Sequence, residues 1–174
     1  AVNEAERSFG DGRVIVERFI TRPRHVEVQI VGDSHGTTID LGTRECSVQR
    51  RYQKLLEEAP APNLAESTTT GLRESAVRMA GSIGYDSTGT VEFVVDDETG
   101  DYFFLEMNTR LQVEHPVTEE ITGLDLVELQ LRVAGGGELG LSAGDITFNG
   151  HAVEARINAE DATNGFVPQL GQIT

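Results

Sequence analysis

Tryptophan is absent from this chain, cysteine and lysine each occur once, methionine occurs twice, and aromatic residues fill only 6% of 174 positions. The single Cys46 excludes an internal disulfide and any zinc site built from several cysteines. No apolar run approaches the roughly 18 residues that a membrane-spanning helix needs, and the opening Ala1-Val2-Asn3-Glu4 shows no signal-peptide pattern. Positive charge is scarce. Against 29 Asp and Glu stand 14 Lys and Arg, a net charge of -15. Such an acidic excess repels phosphate backbones and anionic lipid, so neither nucleic acid nor a membrane surface is an expected partner. The expectation is a cytoplasmic protein of a reducing compartment.

All basic residues but Lys54 are arginine. A surface rich in carboxylates and poor in lysine points to a high-salt interior, where hydrated carboxylates keep a protein soluble and their repulsion is screened. A genome that favours arginine codons is the competing account. Either way, the one retained lysine singles out its position.

What is present is globular in composition, with 38% hydrophobic residues and 19 glycines. The pattern predicts a β-rich segment over Val14–Ile20. A strand over His25–Val31 follows, with Val26, Val28 and Ile30 on the buried face and His25, Glu27 and Gln29 on the other. After turn chemistry at Gly32–Gly36, Thr37–Leu41 reads as the returning strand. Thr43–Glu58 is polar and basic, and Ala59-Pro60-Ala61-Pro62 stops it. Leu72, Ala76, Met79, Ala80 and Ile83 fall at helical spacing, which predicts a helix over Ala65–Ile83 with Gly84 at its C-terminal cap. A hairpin is expected from Val91–Val95 and Tyr102–Asn108 around the turn Asp96–Gly100. Asp125 and Glu128 read as the capped start of a helix through Ala134, which Gly135-Gly136-Gly137 closes. The expected domain division lies there, at 1–137 and 138–174, with Gly150–Ala159 a strand of the following unit. The abrupt beginning and end suggest a piece of a longer polypeptide.

The segment Glu106–Glu114 is rich in chemistry. If it stays extended, Glu106, Asn108, Arg110, Gln112 and Glu114 share one face while Met107, Leu111 and Val113 point away. Carboxylate, amide and guanidinium in that alternation suit a charged ligand better than a solvated strand face. The bland alternative is an edge strand with Arg110 paired to its acidic neighbours. Across the hairpin Glu92 can join Glu106 and Asn108, provided the cross-strand parity is right. Two carboxylates and an amide oxygen suit Mg²⁺, and two unpaired glutamates on one face invite a cation between them.

Glu106-Met107-Asn108-Thr109-Arg110-Leu111-Gln112-Val113-Glu114-His115-Pro116-Val117-Thr118-Glu119 resembles the signature of biotin carboxylase, within the ATP-grasp superfamily. So do Pro23–Glu27, Cys46–Lys54, Glu57–Pro62 and His151–Asp161, in the family's order and spacing over nearly the whole chain. The resemblance implies an α+β ATP-grasp fold, an antiparallel sheet with packed helices. It would comprise the C-terminal part of the ATP-grasp domain and the start of the biotin carboxylase C-terminal domain. It implies an ATP-dependent ligase that activates bicarbonate as carboxyphosphate and carboxylates N1 of biotin on a carrier domain. The cofactors would be ATP, Mg²⁺ or Mn²⁺, and biotin. The partners would be a biotin carboxyl carrier domain and a carboxyltransferase component, within an acyl-CoA or pyruvate carboxylase that often forms homo-oligomers.

By the same resemblance Glu92, Glu106 and Asn108 match metal ligands, with the two glutamates also meeting the nucleotide. Glu17, Arg18, Phe19 and Ile20 match the hinge that meets adenine, and His25, Gln49 and Tyr52 match nucleotide-pocket positions. Lys54, Arg110, Gln112, Val113 and Glu114 match the bicarbonate pocket, with Lys54, Arg110 and Glu114 also matching catalytic positions and Glu114 the candidate general base. Arg156 matches the arginine that stabilises the enolate-like oxygen of biotin; its bland alternative is a surface pairing with Glu154. Tyr52 departs from the family, which commonly has His there, so a charged contact at that point is in doubt. The hairpin turn is slightly long. The family's glycine-rich lid with its two ATP-binding lysines is expected upstream of Ala1, and most of the C-terminal domain beyond Thr174. The competing functions are another ATP-grasp ligase of carbamoyl-phosphate synthase type and a non-catalytic piece in isolation.

Overall fold

Residues 1–172 are described by a computed structural model. Expected domain residues 173 and 174 lie outside it. Six antiparallel strands make the main sheet: β1 (Pro23–Gly32), β2 (Thr38–Arg50), β3 (Gln53–Ala59), β4 (Ser87–Asp96), β5 (Tyr102–Asn108) and β6 (Ala152–Ala155), in the order β5-β4-β1-β2-β3-β6. The helices are α1 (Val2–Phe9), α2 (Glu66–Ser82), α3 (His115–Thr122) and α4 (Leu126–Ala134). Two short strands, β7 (Glu160–Asp161) and β8 (Val167–Pro168), pair separately near the end.

One face of the sheet is apolar and carries α2. Val26, Val28 and Ile30 of β1 and Val91, Phe93 and Val95 of β4 pack against Leu72, Ala76 and Ala80, all enclosed. Truncating Leu72 to Ala would cost about 2–5 kcal/mol through lost transfer energy and the cavity left behind. The helix ends at Ser82, with Gly84 at φ +60° just beyond. Ile83 therefore lies past the last turn and is exposed instead of joining the core.

The second face decides function, and it changes along β1. At Val31 it is apolar and covered by Leu126, Leu129 and Val133 of α4. At Gln29 and Glu27 it is polar yet fully buried beneath α3 and the loop after β5. At His25 it is only partly covered. The expectation of a buried and an outward face thus holds for direction but not for exposure.

Two expectations give way to the structure. Val14–Ile20 joins no ladder, and Ile15, Val16 and Phe19 are exposed. β-branched residues favour a strand only where a neighbouring edge supplies hydrogen bonds, and none pairs with this segment. Conversely, Thr43–Glu58 forms most of the β2–β3 hairpin, turning at Arg51 and Tyr52, both with positive φ of 51° and 66°. Its polar composition hid two strands because several of its side chains point into a buried polar site. β6 adds to the edge of the same main sheet, beside β3.

Candidate functional site

The register of the sheet sets the site. Glu92 on β4 stands opposite both Glu27 on β1 and Glu106 on β5, and Arg44 on β2 stands opposite Glu27. Directly opposed residues in an antiparallel pair leave the sheet on the same side. One row of positions therefore carries three carboxylates and a guanidinium across four strands. Arg44 is wholly enclosed and binds Glu27 Oε2, Gln29 Oε1, Thr90 Oγ1, Gln112 Oε1 and Thr118 Oγ1 at 2.6–3.3 Å. A buried guanidinium needs such complete hydrogen bonding to offset its desolvation.

Above this floor lies a cleft of about 530 Å³. Lys54 projects into it from β3 and its Nζ meets Glu27 Oε1, Glu92 Oε1 at 3.2 Å and Glu114 Oε1 at 2.7 Å. Burial alone would lower the pKa of this ammonium; the carboxylates of Glu27 and Glu114 outweigh it and raise the pKa. Burial pulls Glu27 upward, but His25, Arg44 and Lys54 together hold it well below the usual carboxylate range. His25 Nε2 lies 2.6 Å from Glu92 Oε2 and 3.3 Å from Glu27 Oε1. Burial works against its charged form, yet the two glutamates lift its pKa to about 9. The Gln49 amide lies 3.1 Å from the other ring nitrogen.

Asn108 sits at the end of β5, its Nδ2 donating to Glu92 Oε1 at 2.8 Å and to Glu106 Oε1 at 3.0 Å. The strand stops there, so the residues that follow are not extended. A tight loop nonetheless returns Arg110, Gln112 and Glu114 to the cleft, while Leu111 turns into the core against α4. Val113 also lines the cleft instead of pointing away. Gln112 bridges floor and cleft, accepting from Arg44 at 3.0 Å and donating to Glu92 at 2.7 Å. Arg110 forms no ion pair among the described residues; its guanidinium reaches only the Leu111 carbonyl, at 3.4 Å. Arg156 arrives from the end of β6 and binds Glu57 at 2.6 Å and Glu114 at 2.8 Å, not Glu154. Tyr52 stands on the cleft rim at the β2–β3 turn, almost fully exposed.

Glu17, Arg18, Phe19 and Ile20 line a separate apolar groove with Phe103, Phe104 and Leu105. The Arg18 guanidinium lies 5.4 Å from the Phe103 ring centre, within cation–π range. Sequence reasoning missed Glu27 and Arg44 as site residues. Their signal was present as a Glu and Gln on one strand face, with an arginine on the strand that follows.

Residues 1–142 match the family described as "Carbamoyl-phosphate synthase L chain, ATP binding domain". The chain belongs to this family. Within it, the chain is 56% identical to the propionyl-CoA carboxylase alpha chain of Ruegeria pomeroyi over 172 residues, 99% of this chain and 25% of that protein. It is 55% identical to biotin carboxylase 2 of Bacillus subtilis over 166 residues, 95% of this chain and 37% of that protein. The biotin carboxylase domain of a thermophilic 2-oxoglutarate carboxylase, solved bound to bicarbonate, superposes with a TM-score of 0.90 at 50% identity. That match covers 97% of this chain and 38% of the solved one. The sheet and helices are those of a biotin carboxylase ATP-grasp structure. The chain spans between 25% and 37% of the length of these two curated relatives. No helix among the described residues is long and apolar enough to cross a membrane.

Proposed function

We propose that this chain is the catalytic core of a biotin carboxylase, which uses ATP and bicarbonate to carboxylate biotin on a carrier domain. The observation that carries the reading is the meeting of Arg156 with Glu114 in the cleft that also holds Lys54, Arg110 and Gln112. Arg156 lies beyond the residues matched by the family as a whole, so general ATP-grasp membership does not account for it.

Glu92, Glu106 and Asn108 suit Mg²⁺ or Mn²⁺, since all can offer hard oxygen donors. Asn108 now directs its amide nitrogen at both carboxylates, and turning the amide over would add its oxygen to the donor set. A bound divalent ion supplies charge that neutralises phosphate oxygens. Lys54 is a compact cation beside Glu92 and Glu114 and would stabilise bicarbonate and the transferring phosphoryl group. Arg110, with free donors at the rim, and Gln112, locked by Arg44 and Glu92, would orient bicarbonate together with the Val113 backbone. Glu114 has Lys54 on one oxygen and Arg156 on the other, and serves as the base once substrate displaces one of them. His25, Gln49 and Tyr52 would border the nucleotide and Glu17–Ile20 would meet its base in the apolar groove. The carrier domain, a carboxyltransferase, homo-oligomeric assembly and a domain boundary near Gly137 belong to the same proposal.

The test is ATP hydrolysis by the full-length protein. Hydrolysis that requires bicarbonate and rises with free biotin supports the reading. Bicarbonate-dependent hydrolysis indifferent to biotin would instead favour carbamoyl-phosphate synthase chemistry.

A further inference from the structure

Glu57 on β3 is directly opposite Glu154 on β6, so both side chains leave the sheet on the same side with Cβ atoms about 5 Å apart. Glu57 is fully buried. Its Oε1 accepts from Arg156 Nε, but its Oε2 is enclosed and meets no donor. Oε2 of Glu154 is enclosed and without a donor as well. Glu57 is fully buried and Glu154 half-buried, so two neighbouring carboxylates each hold one oxygen away from water and repel one another. A proton on one of them removes both difficulties, because a protonated carboxyl is the donor that the other lacks. Arg156 bonds to Glu57 and not to Glu154, which favours the negative charge on Glu57 and leaves the proton to Glu154.

We propose that Glu154 is protonated and donates a hydrogen bond to Glu57, and that this pair is the seat that positions Arg156 at the rim of the cleft. The charged groups around it agree. Burial is the largest influence on both carboxyls and raises both pKa values; Arg156 opposes it, and Glu114 reinforces it. His115 at the start of α3 and Arg44 on β2 act on Glu154 in the lowering sense as lesser influences. Glu57 is thus a positioning residue: it fixes the Nε side of the guanidinium, leaving the terminal nitrogens for Glu114 and for what enters the cleft. The consequence for biotin rests on the function proposed above, whereas the shared proton does not.

Two spectroscopic measurements on the full-length protein at neutral pH decide it. Difference infrared spectroscopy should find the carbonyl stretch of a protonated carboxyl group, lost in Glu154→Gln. Absence of that band in the wild type, or its survival in Glu154→Gln, overturns the proton. The Arg156 Nε–H proton resonance reports the seat. Glu154→Gln keeps a donor toward Glu57 and should leave the resonance in place, whereas Glu154→Leu removes the donor and should shift it, both variants keeping the wild-type circular dichroism. An unmoved resonance in Glu154→Leu overturns the positioning role. In the kinetic arm, KM for biotin should rise in Glu154→Leu relative to Glu154→Gln with a smaller change in kcat. A wild type that carboxylates no biotin would refute the functional reading alone, with the infrared and resonance results still deciding the proposal.

Discussion

The guanidinium of Arg44 holds Glu27 Oε2 at 3.0 and 3.3 Å with both side chains wholly enclosed. This pair lies under the cleft and ties β1 and β2 to Thr118 of α3 and Gln112 of the returning loop. Removing one member leaves the other's charge and several acceptors stranded. Arg44→Leu is therefore expected to lower stability by about 3–5 kcal/mol. Arg44→Lys should recover only part of that loss, since an ammonium cannot reach the five acceptor groups that the planar fork serves. Urea denaturation of the two variants beside the wild type measures both effects. A loss below about 1 kcal/mol in Arg44→Leu would contradict this account of the floor.

Glu106 and Glu92 face each other across β4 and β5 with Asn108 between them. Glu106→Gln removes a charge at an exposed strand position, so the fold should stay intact. In the full-length protein the bicarbonate-dependent ATPase should fall by orders of magnitude and its Mg²⁺ requirement should move to higher concentration. Wild-type rates across a Mg²⁺ titration would dismiss the metal assignment.

Asp33 is a pH-sensitive tie remote from the cleft. Its carboxylate accepts from the backbone N–H of His35 at 3.0 Å, Thr37 at 2.9 Å and Leu139 at 2.8 Å, pinning the β1–β2 turn to the segment after α4. Burial raises its pKa, but the three N–H donors prevail and bring it below the ordinary carboxylate value. A depressed folded-state pKa means stability that is complete above the unfolded value near 3.8 and is lost as pH falls through the folded one. Asp33→Asn should therefore destabilise the protein at neutral pH and flatten its acid sensitivity below about pH 4. Chemical denaturation midpoints of the two proteins across that range give the comparison, and parallel curves would be evidence against the tie.

A net charge of -15 with a single lysine should make stability depend on salt. At about 0.1 M the Debye length is about 10 Å, so surface carboxylates repel across much of the molecule; near 1 M it is about 3 Å. Folding gathers these charges, so screening favours the native state. The melting temperature should climb between about 0.1 M and about 2 M KCl, more than with a neutral osmolyte that acts by exclusion alone. A flat or falling curve would assign the arginine bias to codon usage.

Helical spacing revealed the α2 face at Leu72, Ala76 and Ala80, strand runs around a turn revealed the β4–β5 hairpin, and capping-box spacing revealed the Asp125 cap, whose carboxylate does accept from Glu128 N at 2.8 Å. These are local matters. A helix stripe or a tight hairpin is written in residues a few positions apart, and the resemblance of the Glu106–Glu119 segment is likewise contiguous. Other features depended on partners distant in the chain. Thr43–Glu58 looked too polar to be strands because its side chains are satisfied by groups such as Glu27, Thr90 and Thr118. Val14–Ile20 looked like a strand because propensity says nothing about whether an edge is available.

The sequence by itself determined the family resemblance, the alternation that sends Glu27 and Gln29 to one side of β1, and the acidic charge that sets the salt response. Only the tertiary structure decided that this side is buried at Arg44, that Glu92 and Glu106 share a register, and that Arg156 turns to Glu57 and Glu114. Those outcomes depend on which strands become neighbours and where a bulge shifts their pairing. A shift of one residue would have sent Glu92 to the opposite face without changing a letter of the sequence.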